Sequence, residues 1–143
     1  MTSFFDITST LPWPNAIGKR TAVGPLVGAA ESEAISELAK TTPLILVITA
    51  TTAAAHNLAS ELPFFLSDDR EILLVPDWET LPYDNFSPHE DIVSDRLKAL
   101  SRLPTLKSGV VIVSVTTLMH RLAPRHFIDC LLYTSPSPRD GIL

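Results

Sequence analysis

The sequence has one cysteine, no long apolar run and no cluster of basic residues. Cys130 alone can form neither an internal disulfide nor a cysteine-rich zinc site. The longest apolar runs, residues 43–48 and 110–113, are far too short to cross a bilayer. Residues 1–15 lack the basic start and the long apolar middle of a secretory signal. We therefore expect a cytoplasmic protein with no membrane partner.

Positive charge is scarce throughout the chain. The sequence has 11 Lys and Arg residues and 16 Asp and Glu residues, which gives a formal net charge of −5. Phosphate contacts and counterion release dominate nucleic-acid affinity, so strong DNA binding by this chain alone is not favoured. The length of 143 residues, with 45% hydrophobic and 19% charged residues, fits one soluble globular domain with a substantial core.

Apolar β-rich runs alternate with helical patterns along the chain. Strands are predicted at residues 43–49, 71–76 and 108–115, with a further short strand at 21–27; the runs at 43–49 and 71–76 are of the kind buried on both faces. Helices are predicted at residues 29–40, 51–66 (ended or distorted at Pro63), 89–103 and 116–122. Residues 1–20 are expected to be an irregular lead-in. This alternation predicts an α/β fold with a parallel sheet and right-handed crossovers.

A phosphate-binding loop is expected between the first strand and first helix of a nucleotide-binding α/β domain. That position reads GPLVGAAESEA, in which Gly24 and Gly28 are wrongly spaced and no lysine follows. Glu31 and Glu33 would repel a phosphate. We expect no nucleotide binding and no catalytic residue here.

The connection DWETLPYDNFSPHEDI, residues 77–92, leads into the strongest helical pattern. Ser87, Pro88 and Glu90 fit the N-cap, N1 and N3 positions of a helix. The apolar positions of this helix predict a buried stripe. Its members are Ile92, Val93, Leu97, Leu100 and Leu103.

Acidic residues crowd the same connection and leave two interpretations open. The acidic residues and one histidine are Asp77, Glu79, Asp84, His89, Glu90 and Asp91. They could form an acid/base or metal site, but turn and capping chemistry on a solvated rim is favoured because their spacing matches no ligand pattern. The four histidines, His56, His89, His120 and His126, fall in separate elements, so we expect no metal site. No G-x-S-x-G elbow for a serine nucleophile occurs.

Two further groups are candidate interaction sites. Trp78, Tyr83 and Phe86, followed by His89, either pack as local core or present a partner-binding surface. Hydroxyl residues follow two predicted strands: Thr49 and Thr51 after one, Ser114 and Thr116 after the other. Ligands bind at the carboxyl edge of open α/β sheets, so these hydroxyls are candidates for nucleic-acid contact, although N-capping alone would also explain them.

Three segments resemble a known family. LILVITATTAAAHNLASEL and VVIVSVTTLMHRL resemble strand–loop–helix segments of superfamily-2 helicases. LLVPDWETLPYDNFSPHEDIVSDRLKALSRLP is more specific. It is similar to the N-terminal module of bacterial transcription-repair coupling factors, which resembles the first domain of the excinuclease B protein. The resemblance covers residues 21–129 and implies a helicase-like, RecA-like three-layer fold with a degenerate phosphate loop.

The resemblance also implies a large parent protein. Such a parent is an ATP- and magnesium-dependent translocase on double-stranded DNA that displaces stalled RNA polymerase and recruits the excinuclease A protein during nucleotide-excision repair. The present chain would be a non-catalytic scaffold without a cofactor, in contact with other domains of the same protein. Two alternatives are a free-standing small α/β enzyme that uses the acid-rich loop 77–91, with or without a metal, and a genuine helicase lobe. The missing phosphate-loop lysine argues against the latter.

The last stretch, CLLYTSPSPRDGIL at residues 130–143, does not continue the domain pattern. We interpret it as a non-native tail of translated adaptor or vector sequence. Because this tail stands in place of the rest of the domain, we expect an incomplete sheet with an exposed apolar edge.

Overall fold

Three parallel strands form the centre of the fold, with β3 between β1 and β2. In the computed structural model, the structure describes residues 13, 16–67, 70–80, 85 and 87–134, without the side chains of 129 and 131–134. The elements in chain order are α1 (Ala30–Thr41), β1 (Leu44–Thr49), α2 (Thr52–Glu61), a 3-10 turn (Leu62–Phe64), β2 (Glu71–Val75), α3 (Glu90–Arg102), a 3-10 turn (Leu103–Thr105), β3 (Gly109–Ser114), α4 (Val115–Met119) and α5 (Arg125–Thr134).

The register aligns the three strands closely at their amino ends. Gly109 lies opposite Leu44 on one side and Glu71 on the other. Its φ of 145° and the approach of the Glu71 carbonyl, 2.3 Å from where a Cβ would stand, both require glycine. The Gly109 N–H donates to the Pro43 carbonyl at 2.8 Å, which ties the start of β3 to the segment before β1.

Helices cover the two faces of the sheet and give three layers. On one face, Ile45, Val110 and Ile112 pack against Ala39 of α1 and the apolar side of α2. On the other face, the residues of β3 that alternate with these pack against α3 and the segment after it; this cluster is Val75, Ala99, Leu106, Val111 and Val113. The fold is therefore a partial RecA-like α/β domain, and the predicted parallel sheet is confirmed.

The predicted burial of the strands was wrong for β1 and β2. Leu44, Leu46 and Ile48 of β1 are 45%, 57% and 51% exposed, and in β2 only Val75 is fully buried. Every residue of β3 is buried instead. The physical reason is the strand order: β1 and β2 are the outer strands, and an apolar run does not reveal which strand lies in the middle.

The predicted short strand at residues 21–27 is not present, since this segment is irregular and almost wholly exposed. Gly24 and Pro25 interrupt the run, and proline cannot donate to a strand ladder. The helix α5 was not predicted; it crosses residue 130, where the predicted tail begins. The helix α2 ends at Glu61, and Pro63 lies in the 3-10 turn that follows, as its position predicted.

The predicted N-cap of α3 was wrong, although the helix lies within one residue of its predicted bounds, 89–103. Its N-cap is His89, whose Nδ1 accepts from the Asp91 N–H at 3.4 Å, and Ser87 lies two residues before this cap. The predicted apolar stripe of α3 is only partly buried. The most buried residues of the helix are Arg96, which is 2% exposed, and Ala99. Arg96 lies one turn before Leu100, so it faces the sheet as the apolar residues do.

Candidate functional site at the carboxyl edge of the sheet

Asp77 lies at the centre of the polar groups that follow the three strands. It comes two residues after β2, and its Oδ2 accepts from Thr116 Oγ1 at 2.9 Å and from Thr52 Oγ1 at 3.3 Å. Its Oδ1 accepts from the Trp78 N–H at 2.8 Å. Thr52 begins α2 after β1, and Thr116 lies in α4 after β3. One carboxylate therefore joins the carboxyl ends of all three strands.

The environment of Asp77 stabilises its charged form. Partial burial raises the pKa of Asp77, but the hydrogen bonds from Thr116, the Trp78 N–H and Thr52, with nearby His120, together lower that pKa below its ordinary value of 3.8. His120 Nδ1 lies 3.8 Å from Asp77 Oδ1 and is buried, without a hydrogen-bond partner among the described residues. Asp77 is thus an ionised acceptor whose lone pairs are largely used inside the protein.

The four candidate hydroxyls all have local partners. Thr51 is the N-cap of α2 and accepts from the Ala54 N–H at 3.1 Å, while Thr49 donates to the Thr51 carbonyl at 2.9 Å. Ser114 is the N-cap of α4, accepting from the Thr117 N–H at 3.2 Å. Its hydroxyl also shares hydrogen bonds with the Thr116 and Thr117 hydroxyls at 2.8 and 2.9 Å. Capping is therefore present at Thr51 and Ser114, and contact with nucleic acid stays a prediction.

Arg96 is the second polar group at this edge. Its Nη1 donates to the Pro76 carbonyl at 2.7 Å, and its guanidinium carbon lies 4.8 Å from the centre of the Trp78 ring, within cation–π range. Burial lowers the pKa of Arg96, against the attraction of Asp77. Its Nη2 is buried and has no partner in the described part of the chain.

The candidate interaction loop is only partly within the described residues. Trp78 is partly buried and packs on Arg96, which gives it a structural role. His89 is exposed, and its Nδ1 also lies 3.2 Å from a carboxylate oxygen of Asp91. Tyr83, Asp84 and Phe86 lie outside the described residues.

The described acidic residues of this connection are not gathered into one site. Asp77 points to Thr52 and Thr116, Glu79 is exposed with a left-handed backbone (φ 58°), and Glu90 is exposed at the start of α3. In the ranges that the structure describes, no three His, Cys, Asp or Glu residues lie close enough to hold a metal.

A cavity of about 460 Å³ lies near the start of α1, where a phosphate loop would be expected. Its lining is mostly apolar and comes from the segment before α1, from α1, β1 and α2, and from Trp13; Glu31 is its one charged residue among those described. Gly28, with a φ of 62°, precedes α1, and Gly24 lies in the irregular segment before it. No lysine or arginine is among the described residues of this lining, and the first turn of α1 carries Glu31 and Glu33. These residues do not fit a triphosphate.

Sequence reasoning missed four residues of this site: Thr52, Arg96, Thr117 and His120. It also placed Asp77 on a solvated rim, whereas the Asp77 side chain is 16% exposed. A usable signal was available for Asp77, because it directly follows the predicted strand at residues 71–76, as the candidate hydroxyls follow theirs. Arg96 carried no such signal, since an arginine in a helix is normally exposed.

The sheet, its helices and the polar carboxyl edge define a partial RecA-like α/β domain. No family model matches the chain. It is 42% identical over 117 residues to the transcription-repair-coupling factor of Escherichia coli (strain K12), a match that covers 80% of this chain and 10% of the relative. The factor of Haemophilus influenzae is 41% identical over 108 residues, and that of Mycobacterium tuberculosis 40% over 120 residues, covering 75% and 76% of this chain and 9% of each relative.

The chain belongs to the transcription-repair-coupling factor family and corresponds to an N-terminal module of such a protein. It spans about a tenth of the length of the relatives it matches. Along the described ranges, no helix has both the length and the apolar composition needed to cross a membrane.

Proposed function

We propose that the chain is a non-catalytic, helicase-like scaffold within a protein of transcription-coupled nucleotide-excision repair. The observation that carries this proposal is the identity of about two fifths to transcription-repair-coupling factors across most of the chain. The whole protein, by the same proposal, is an ATP- and magnesium-dependent translocase on double-stranded DNA in the bacterial cytoplasm. Its partners are RNA polymerase and the excinuclease A protein, and its motor lies in another domain.

The site supports a scaffold more than a catalyst. The carboxylate of Asp77 and the hydroxyls around it bond to one another, so they hold the strand ends in place. The cavity beside α1 is lined by Glu31, with Glu33 in the same turn of the helix, where a phosphate loop would supply a lysine and backbone donors. A fold of this kind retains the shape of a motor domain and contributes surfaces to its neighbours.

Two measurements test the proposal. In the first, the matched region of the Escherichia coli relative is replaced by residues 21–129 of this chain, and the chimera is produced in a strain that lacks its own factor. We expect survival after ultraviolet irradiation to return to the level given by the unmodified relative. Normal production of the chimera without any gain in survival would contradict the assigned role.

In the second measurement, the purified chain is titrated with magnesium ATP by calorimetry and assayed for phosphate release. We expect neither binding heat nor turnover above the background of a chain-free sample. Stoichiometric ATP binding or hydrolysis would overturn the non-catalytic assignment.

A further inference from the structure

An uncovered apolar face lies beside β1, on the side of the sheet that carries α3. We define the β1 face as Leu44, Leu46 and Ile48 of β1 with Leu118 and Leu122, which are 45–58% exposed. The side chains of β3 on the same side, Val111 and Val113, are covered by α3 and its neighbours. Large apolar side chains adjacent in space and open to solvent mark an interaction surface.

The β1 face opens into a cavity of about 250 Å³. Leu46, Val111, Val113, Leu100 and Leu118 are among its apolar lining residues, and Arg96 is its one charged lining residue within the described ranges. Arg96 is 2% exposed, so its guanidinium is almost fully withdrawn from water. Its Nη1 bonds to the Pro76 carbonyl, but its buried Nη2 has no partner in the described structure. An unpaired buried donor on a charged group is costly, and this cost favours an acceptor that arrives from outside.

We propose that the β1 face docks an apolar segment from another part of the full-length polypeptide, and that this segment brings an Asp or Glu carboxylate to Arg96 Nη2. The inference rests on the proposed function, because only a module of a longer protein has such a segment. The relatives are about ten times longer than the stretch they share with this chain, so they have ample sequence to supply it. Apolar burial provides the affinity, and the carboxylate pairs with the buried charge.

A second copy of the chain fits this face less well. A two-fold contact brings the same patch from both copies. The β1 face and its cavity contain leucine, isoleucine, valine, Thr117 and Arg96 but no carboxylate in the described lining. Self-association would therefore bury the leucines while bringing two guanidinium groups together without an acidic partner.

The test uses overlapping synthetic peptides that cover the Escherichia coli relative outside the region it shares with this chain. The labelled 143-residue chain is first applied to the peptides, and a binding peptide is then titrated in solution. Leu46→Lys and Leu118→Lys place a charge on the β1 face and should weaken binding about tenfold or more. Phe64→Lys is the matched control, because Phe64 is 87% exposed and belongs neither to the β1 face nor to its cavity.

A second arm tests the carboxylate. Replacing the acidic residue of the binding peptide by alanine should cost about tenfold with the wild-type chain and little with an Arg96→Met chain, so that the two changes are coupled. Circular dichroism of Arg96→Met verifies that this variant is folded; if it is not, Arg96→Lys replaces it, with a smaller expected coupling.

Three results would overturn the docking proposal: no peptide binds, binding persists in Leu46→Lys, or the chain forms a discrete dimer that Leu46→Lys dissociates. None of them bears on the chimera or the ATP titration, so failure of the docking inference is distinguishable from failure of the proposed function.

Discussion

Asp77 follows β2, yet its carboxylate accepts hydrogen bonds from hydroxyls that follow β1 and β3. Local chain geometry alone does not bring Thr52 and Thr116 to the same oxygen, since they are separated from Asp77 by 25 and 39 positions. The contact therefore reports the tertiary arrangement of the strand ends. At the residue scale, this is the polar group on which the described edge most depends.

Replacing Asp77 by alanine should lower the free energy of unfolding by about 1–3 kcal/mol, because two hydroxyls and one N–H lose their acceptor. The measurement is a urea titration followed by circular dichroism. Asp95→Ala is the control, since Asp95 is 64% exposed and pairs with Lys98 at the surface. We expect a change below about 0.5 kcal/mol for the control. Equal losses in both variants would show that Asp77 has no special role.

The lowered pKa of Asp77 gives stability a dependence on acid pH. Its folded pKa lies below the unfolded value of about 3.9, so its stabilising contribution is fully present above that value. The contribution is lost as the pH falls from there through the folded pKa. The difference in unfolding free energy between wild type and Asp77→Asn should therefore shrink on acidification below about pH 4. A difference that stays constant down to about pH 2 would contradict the assignment.

At the scale of elements, β3 approaches β2 closely at its first residue. A Cβ on Gly109 would stand 2.3 Å from the Glu71 carbonyl oxygen, and its φ of 145° is unfavourable for other residues. Gly109→Ala should therefore destabilise the protein by more than about 2 kcal/mol in the same urea titration. Gly24→Ala is the control, since no atom lies within 4 Å of its would-be Cβ. A Gly109→Ala variant as stable as the control would refute the close approach.

The N-cap of α2 provides a second prediction at this scale. Thr51→Ala removes the hydroxyl that accepts from the Ala54 N–H, so we expect a loss of about 0.5–2 kcal/mol. Ser60→Ala is the matched control, because Ser60 is an exposed hydroxyl of the same helix that bonds back to the Asn57 carbonyl. Its removal should be close to neutral or slightly stabilising. The prediction is wrong if the two variants have the same urea midpoint.

The elements show how far sequence reasoning reaches in this protein. The three strands and the helices α1 to α4 could be predicted, because short continuous apolar runs and 3.6-residue periods are local properties. Strand order is not local, so the exposure of Leu46 and the burial of all of β3 could not be anticipated. The predicted N-cap Ser87 was wrong, because local sequence signals do not separate a cap at Ser87 from one at His89, two residues later. The buried Arg96 contradicts the usual preference of its side chain, and only packing against Trp78 and Pro76 explains it.

At the scale of the whole molecule, stability should be unevenly distributed across the sheet. In the described sheet, β3 has a neighbour on both sides and is completely buried, whereas β1 has one neighbour and an exposed face. Hydrogen exchange followed by mass spectrometry should therefore find the slowest amides in residues 110–113 and faster exchange in residues 44–49. Equal protection of both strands would indicate that β1 is covered by something other than the described residues.

The partial RecA-like domain and its family also account for the composition noted at the outset. A module that occupies a tenth of its relatives does not need a basic surface of its own, because DNA contact is proposed for other parts of the protein. The polar carboxyl edge, bonded internally through Asp77, and the apolar β1 face are then complementary features. The first maintains the shape of the module, and the second is available to a neighbour.

The order β1–β3–β2 has a consequence for synthesis on the ribosome. The two outer strands are translated first, and neither bonds to the other. Gly109, which permits the close pairing of β3 with β2, comes more than thirty positions after the end of β2. The two apolar outer strands of the nascent chain therefore stay unpaired until the central strand has left the exit tunnel. All three strands can pair only then, so the sheet forms late in synthesis.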